Sequence, residues 1–108
     1  MGKFQIYRSA INSQYYYRLR ASNGEIIQSG EGYTTKANCQ AGIASVKANC
    51  SAERFDKTYA ASQYGFNHKA MNGEIIGRGE KYTTSTGRDN GIAAVIREAP
   101  TAPTEDNT

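Results

Sequence analysis

The chain has no tryptophan, one histidine, two cysteines and two prolines among its 108 residues. Without tryptophan, the largest pieces available to a core are Tyr and Phe, and the core is modest. No apolar run approaches the ~20 residues that a membrane-spanning helix needs, so no membrane association is expected. Met1-Gly2-Lys3-Phe4 leads straight into alternating residues rather than an apolar leader, and the expected location is the cytoplasm. No cluster of His, Asp and Glu completes a metal site around either cysteine, so neither a metal nor another cofactor is expected. The formal net charge is +3 and is unevenly spread, with six Lys/Arg against two Glu in residues 1–50. An excess of this size fits ordinary solvation as well as an anionic partner.

What the chain does have is a repeat. Asn-Gly-Glu-Ile-Ile-Gln-Ser-Gly-Glu-Gly-Tyr-Thr-Thr spans residues 23–35, and Asn-Gly-Glu-Ile-Ile-Gly-Arg-Gly-Glu-Lys-Tyr-Thr-Thr spans residues 72–84, an offset of 49. At that offset Tyr17 meets Phe66, Leu19 meets His68, Ile43 meets Ile92 and Val46 meets Val95. Phe4 meets Phe55 only after a further shift of two. The chain therefore reads as one domain, 1–99, made of repeat one (3–50) and repeat two (53–99). Residues 100–108 lack periodicity and are expected to be a flexible tail.

Each unit reads strand, strand, strand, helix. Lys3–Arg8 alternates, with Phe4 and Ile6 on one side. Residues 14–21 alternate again, with Tyr15, Tyr17, Leu19 and Ala21 on one face and Tyr16, Arg18 and Arg20 on the other. Asn23-Gly24 is a hairpin signal, because both residues accept positive φ. A two-residue loop would oppose Ala21 with Ile26. A three-residue loop with a bulge would oppose Leu19 with Ile27, and the two send different isoleucines inward. Thr34 or Thr35 can cap the helix that follows. Cys39, Ile43, Val46 and Cys50 form its apolar stripe, matched by Arg88, Ile92, Val95 and Ala99, with Pro100 closing the second helix. Gly42 and Gly91, inside these helices, mark a close contact.

Three strands and one helix cannot enclose a core in about 50 residues. The expected fold is therefore α+β: two β-β-β-α repeats forming one antiparallel six-stranded sheet, with two helices on one face and a pseudo-twofold axis. The pattern Phe4-x-Ile6-Tyr7, Tyr17-x-Leu19-x-Ala21-x-Asn23-Gly24-Glu25-Ile26-Ile27, Gly32-Tyr33 and Gly42-Ile43-x-x-Val46, with Arg88-Asp89-Asn90-Gly91-Ile92 in the second unit, resembles the YegP-like family of small bacterial tandem-repeat proteins. The resemblance implies a paired β3-α fold, with helices open to exchange between units, and carries no catalytic residues. His68 departs from it, standing where the first unit has Leu19 at an inward position.

Four features invite chemistry. Cys39 and Cys50, eleven residues apart on a helix, would lie ~16 Å apart, too far for a disulfide, and read as core packing. His68 could serve as a general base or a pH-sensitive group, but no nucleophile and carboxylate accompany it, and a partly buried ring bonded to a carbonyl or a Tyr hydroxyl is the plainer reading. On that reading His68→Leu leaves the fold unchanged or stabilises it. Gly30-Glu31-Gly32 before a helix lacks the Gly-Lys-Ser/Thr of a phosphate loop and carries a Glu inside the would-be cradle. Tyr16, Arg18 and Arg20 face the open side of the sheet, the residue types that stack bases and meet phosphates in single-stranded nucleic-acid platforms. The second unit has Gly65, Asn67 and Lys69 there.

The first functional reading is a non-enzymatic binding or interaction module, using the open sheet face for a protein partner or a second copy. The alternative is weak single-stranded nucleic-acid binding through Tyr16, Arg18 and Arg20. An enzyme using His68 ranks last.

Overall fold

A computed structural model describes residues 2–108. Strands β1 (Lys3–Arg8), β2 (Tyr15–Arg20) and β3 (Ile26–Ser29) precede helix α1 (Lys36–Ala48). Strands β4 (Phe55–Ala60), β5 (Gln63–Lys69) and β6 (Ile75–Gly79) precede helix α2 (Ser85–Glu98). A 3-10 turn, Ala99–Thr101, then leads to a seventh strand, β7 (Thr104–Asp106). The sheet order is β4-β5-β6-β3-β2-β1-β7. The sheet is mixed, because β7 pairs with β1 in parallel.

Two expectations are thereby corrected. Among the described residues the sheet has seven strands rather than six, and residues 100–108 are not a flexible tail, because Thr104–Asp106 form the seventh strand. The sequence Thr-Glu-Asp carries no apolar alternation, so nothing local marks it as a strand. Tertiary contacts order it: Phe4 N–H donates to Pro103 C=O at 2.8 Å and Asn107 N–H to Ile6 C=O at 2.8 Å. Lys3 holds Glu105 at 2.8 Å, Lys36 holds Asp106 at 2.9 Å, and Ala102 is 1% exposed.

The two repeats meet along β3 and β6, where Ser29 opposes Arg78 and Gln28 opposes Gly79. Ser29 and Arg78 are counterparts at the repeat offset, so the pseudo-twofold axis passes between them. Each helix covers the second strand of its own repeat and the third strand of the other. Both lie on the face that carries Phe4, Ile6, Tyr17 and Leu19. None of the helices among the described residues is long and apolar enough to cross a membrane.

Local chemistry sets the boundaries. Thr35 accepts from Asn38 N–H at 3.1 Å, and Thr84 from Gly87 N–H at 2.9 Å, so the second Thr of each pair caps its helix. Helix α1 stops at Ala48 with Asn49 as its cap, which leaves Cys50 outside the helix. Its Sγ–H still donates to Val46 C=O at 3.1 Å. Both cysteines are free, and burial pushes the Cys39 thiol up to about 11. The helix glycines make room for a tyrosine: a Cβ at Gly42 or Gly91 would collide with the hydroxyl of Tyr33 or Tyr82.

The hairpin closes through Ala21 N–H to Glu25 C=O at 2.8 Å, with Gly24 at φ 88°. This is a three-residue loop, but the register slips once more than expected. Arg20 opposes Ile26 while Leu19 opposes Gln28, so Ile27 is the extra residue of a bulge. Consequently Ile27 and Gln28 are both buried, and the second isoleucine of each pair, Ile27 and Ile76, enters the core.

Candidate functional site

The face of the sheet opposite the helices carries Tyr16, Arg18 and Arg20, as their alternation in β2 requires. Cross-strand pairing sets Tyr16 beside Tyr7, Arg18 beside Gln5 and Arg20 beside Lys3. The Tyr7 and Tyr16 rings stack with centroids 5.7 Å apart. The Arg18 guanidinium lies over the Tyr7 ring, 4.9 Å from its centroid, a cation–π arrangement. Gln5 Oε1 accepts from both arginines, from Arg18 Nε at 2.9 Å and Arg20 Nε at 2.7 Å. Gln5 Nε2 donates to Glu105 at 3.2 Å, and Arg20 also donates to Gly24 C=O at 2.7 Å. The Tyr16 hydroxyl accepts from Asn12 Nδ2 at 2.8 Å. The three side chains are thus brought together, and each is held by neighbours.

The patch continues along one row of the sheet. Arg18 opposes Ser29, Ser29 opposes Arg78, and Arg78 opposes Asn67. Arg78 donates to Glu31 at 2.8 Å and to Asn67 at 3.1 Å. Lys69 pairs with Asp56. Glu31 therefore ties the two repeats together, and Gly32 gives Gln14 and Tyr16 room to approach. Sequence reasoning missed Gln5, Tyr7, Arg78 and Glu105. The alternation of β1 places Gln5 and Tyr7 opposite Phe4 and Ile6 and could have found them. Glu105 had no such signal, because β7 exists only through tertiary pairing.

A second cluster lies inside the molecule. Tyr17, Gln28 and His68 are each 0% exposed, and each is polar where its repeat counterpart is Phe66, Gly77 or Leu19. Tyr17 O–H donates to Ile76 C=O at 2.6 Å. His68 Nε2 faces Asn49 C=O at 2.8 Å and must carry the proton there. Tyr17 Oη and His68 Nδ1 are then left as acceptors, 3.1 Å each from Gln28 Nε2. The Gln28 amide can serve both only by presenting its NH2, which leaves Oε1 without a partner among the described residues. Gly77 is required, since a Cβ there would strike Gln28 Nε2 and Tyr17 Oη. Phe55 stacks on the His68 ring at 4.1 Å. Three departures from the repeat thus meet at one place near the pseudo-twofold axis. Of the two alternatives expected for His68, a carbonyl or a Tyr hydroxyl, the ring takes the carbonyl directly and reaches the hydroxyl only through Gln28, and it is fully rather than partly buried.

Burial holds the His68 pKa below its ordinary value, and the Asn49 carbonyl bond offsets this in part. The unfolded chain protonates this residue near the usual ~6.5. Between the folded and unfolded values the unfolded state carries more protons, so stability rises with pH there. Stability is expected to be complete above about pH 6.5 and to fall as pH drops below it, with a slope of at most about 1.4 kcal/mol per pH unit. Urea unfolding between pH 7.5 and 5, compared with His68→Leu, checks this: the variant should lose the slope, and an equal slope in both chains would refute the assignment.

A family model described as a domain of unknown function, DUF1508, matches residues 10–56 and again residues 60–106. The chain belongs to this family. It is 50% identical over 54 residues to a UPF0339 protein of Photorhabdus laumondii, covering 50% of this chain and 46% of that relative. It is 50% identical over 48 residues to a UPF0339 protein of Treponema denticola, covering 44% of this chain and 81% of the relative. The first match spans about half the length of its relative; the second relative is scarcely longer than one repeat. Among solved structures, a UPF0339 protein from Shewanella oneidensis superposes with a TM-score of 0.90 at 37% identity, covering 97% of this chain and 90% of that one. YegP of Escherichia coli, a protein of unknown function, gives 0.92 at 38%, covering 99% and 93%. The YegP-like resemblance read from the residues therefore holds. The second family match runs through Asp106, so the family pattern also includes β7.

Proposed function

We propose that this protein is a non-catalytic interaction module that presents the open face of β1, β2 and β3 to a protein partner. The observation that carries this reading is the pre-ordered Tyr7–Tyr16–Arg18–Arg20 surface, fixed by Gln5. Tyr and Arg are the residues that most often dominate protein interfaces, and side chains already ordered lose less entropy on binding. The enclosure of His68, with both ring nitrogens bonded inside the core, supports a structural rather than a chemical role for it.

A protein fits this face better than a nucleic acid. Glu105 and Glu31 stand among the cations, and both Arg Nε groups are engaged. Tyr16 gives one ring face to Tyr7 rather than to a base. In a titration of the isotope-labelled chain with fractionated cell extract, shifts are expected on β1 and β2 and should vanish in Tyr16→Ala/Arg18→Ala. A short single-stranded oligonucleotide at physiological salt is expected to give no saturable shifts. Tight oligonucleotide binding that weakens steeply with salt and disappears in Arg18→Ala/Arg20→Ala would turn the reading over to nucleic acid. Turnover of a metabolite with shifts around His68 would end the non-catalytic reading.

A further inference from the structure

The open face carries two positive charges that the chain does not neutralise. Arg18 and Arg20 are partly buried, and both donate Nε–H to the same oxygen, Gln5 Oε1, at 2.9 and 2.7 Å. Gln5 is neutral, so it satisfies both hydrogen bonds and cancels neither charge. Neither guanidinium has a carboxylate within ion-pair distance among the described residues. The cations to either side differ. Lys3, opposite Arg20, is held by Glu105 at 2.8 Å. Arg78, two strands beyond Arg18 in the same row, is held by Glu31 at 2.8 Å. The unbalanced charge is thus confined to two adjacent side chains. Like charges set on one acceptor and partly shielded from water repel, and an anion placed between them relieves the repulsion. The donors such an anion needs are free. Arg20 Nη1 donates to Gly24 C=O, but Arg20 Nη2 and both η nitrogens of Arg18 have no partner among the described residues. The Tyr7 ring holds the Arg18 guanidinium without taking up an N–H donor.

We propose that the protein partner docks an acidic segment on this face, with a side-chain carboxylate bridging Arg18 and Arg20. This rests on the reading of the open face as the binding surface and gives the chemistry of its occupant. Planar guanidinium donors match a carboxylate, and charge-assisted bonds of this kind are the strong ones. One carboxylate, or two in succession, suits a charge confined to two residues. A run of phosphates does not, because the next cations along the face, Lys3 and Arg78, already hold carboxylates. Glu105, which accepts from Gln5 Nε2 at 3.2 Å, borders the pair and repels a phosphate dianion more strongly than a carboxylate. Little ordering is lost on binding, because Gln5 fixes both arginines beforehand.

The probe is a synthetic peptide, Glu-Glu-Tyr-Glu-Glu, blocked at both ends and titrated into the full chain with isotope-labelled arginine. Gln-Gln-Tyr-Gln-Gln is the comparison. A third peptide carries Gln-phosphoserine in place of the first two glutamates, at equal charge. Saturable shifts are expected at the Nε–H groups of Arg18 and Arg20, with Arg78 and Arg97 unmoved. The Glu peptide should bind at least about tenfold more tightly than the Gln peptide, the scale of one charge contact, and more weakly as salt rises. Arg18→Gln and Arg20→Gln should each lower its affinity about tenfold. Each removes one of two repelling charges and should keep the fold; if one unfolds, the other and the salt dependence decide. Equal affinity for the Glu and Gln peptides would overturn the proposal, as would the absence of saturable shifts at Arg18 and Arg20. Tighter binding of the phosphoserine peptide would hand the site to a phosphorylated partner and equally overturn it. Should the peptides fail while cell extract still shifts β1 and β2, the acidic occupant alone is overturned. Should the extract shift neither strand, the interaction reading beneath it falls as well.

Discussion

Removing residues 102–108 should destabilise the protein by about 2–4 kcal/mol, from the loss of an edge strand and a buried alanine. The deletion takes away the whole parallel backbone ladder to β1, including the bonds at Phe4 N–H and Ile6 C=O, and the buried Ala102 side chain beside α1. It also removes the Lys3–Glu105 and Lys36–Asp106 pairs. Their side chains are substantially exposed and screened by solvent, so they contribute little. The larger share comes from Phe4 and Ile6, both 0% exposed, which become an open edge. Against a total stability of about 5–15 kcal/mol this is a large fraction. Urea unfolding of the two chains measures it. A change under about 0.5 kcal/mol, the range of neutral surface substitutions, would show that β7 only decorates the fold.

The second large effect concerns His68. His68→Leu installs the residue found at the equivalent place of the first repeat, yet it should cost about 2–4 kcal/mol, because buried partners are left unpaired. Gln28 loses one of its two acceptors and Asn49 C=O loses its donor. This reverses the neutral or stabilising outcome that sequence alone favours. Gln28→Leu combined with His68→Leu removes both polar partners, together with the stranded Gln28 Oε1. The double variant should be more stable than His68→Leu alone, with a coupling of about 1–3 kcal/mol. Denaturant melts of the four chains of this cycle give the coupling directly, and additive effects would show that the three polar residues do not act as a unit.

The parts of the fold that were legible in the sequence are those set by local periodicity. The repeat, the two Asn-Gly turns, β1 through β6 and the Thr caps follow from alternation, positive φ and the helix's unpaired amides. Tyr16, Arg18 and Arg20 were legible as one face for the same reason, because β2 alternates without interruption. Their neighbours Gln5 and Tyr7 were readable too, once β1 was paired with β2. The reach from Gln28 to His68 was not. Plain alternation with Ile27 inside would turn Gln28 outward, and only the bulge at Ile27 buries both. The same bulge recurs between β5 and β6, where Lys69 opposes Ile75 and His68 opposes Gly77, so it accompanies the shared Asn-Gly-Glu-Ile-Ile segment, but the period of two that marks a strand does not reveal it.

The sequence by itself determined the two-fold plan of this protein. It did so because hydrophobic alternation and turn chemistry act between near neighbours, and because each half lacks the apolar mass to fold alone. The tertiary structure decided how the halves differ. It gathered Tyr17, Gln28 and His68 from three separate strands into one buried chain of hydrogen bonds. It also covered β1 with β7 while leaving β4 the last strand of the sheet. Both outcomes rest on contacts between residues far apart in sequence, whose free energy exists only once the surrounding sheet and helices have formed.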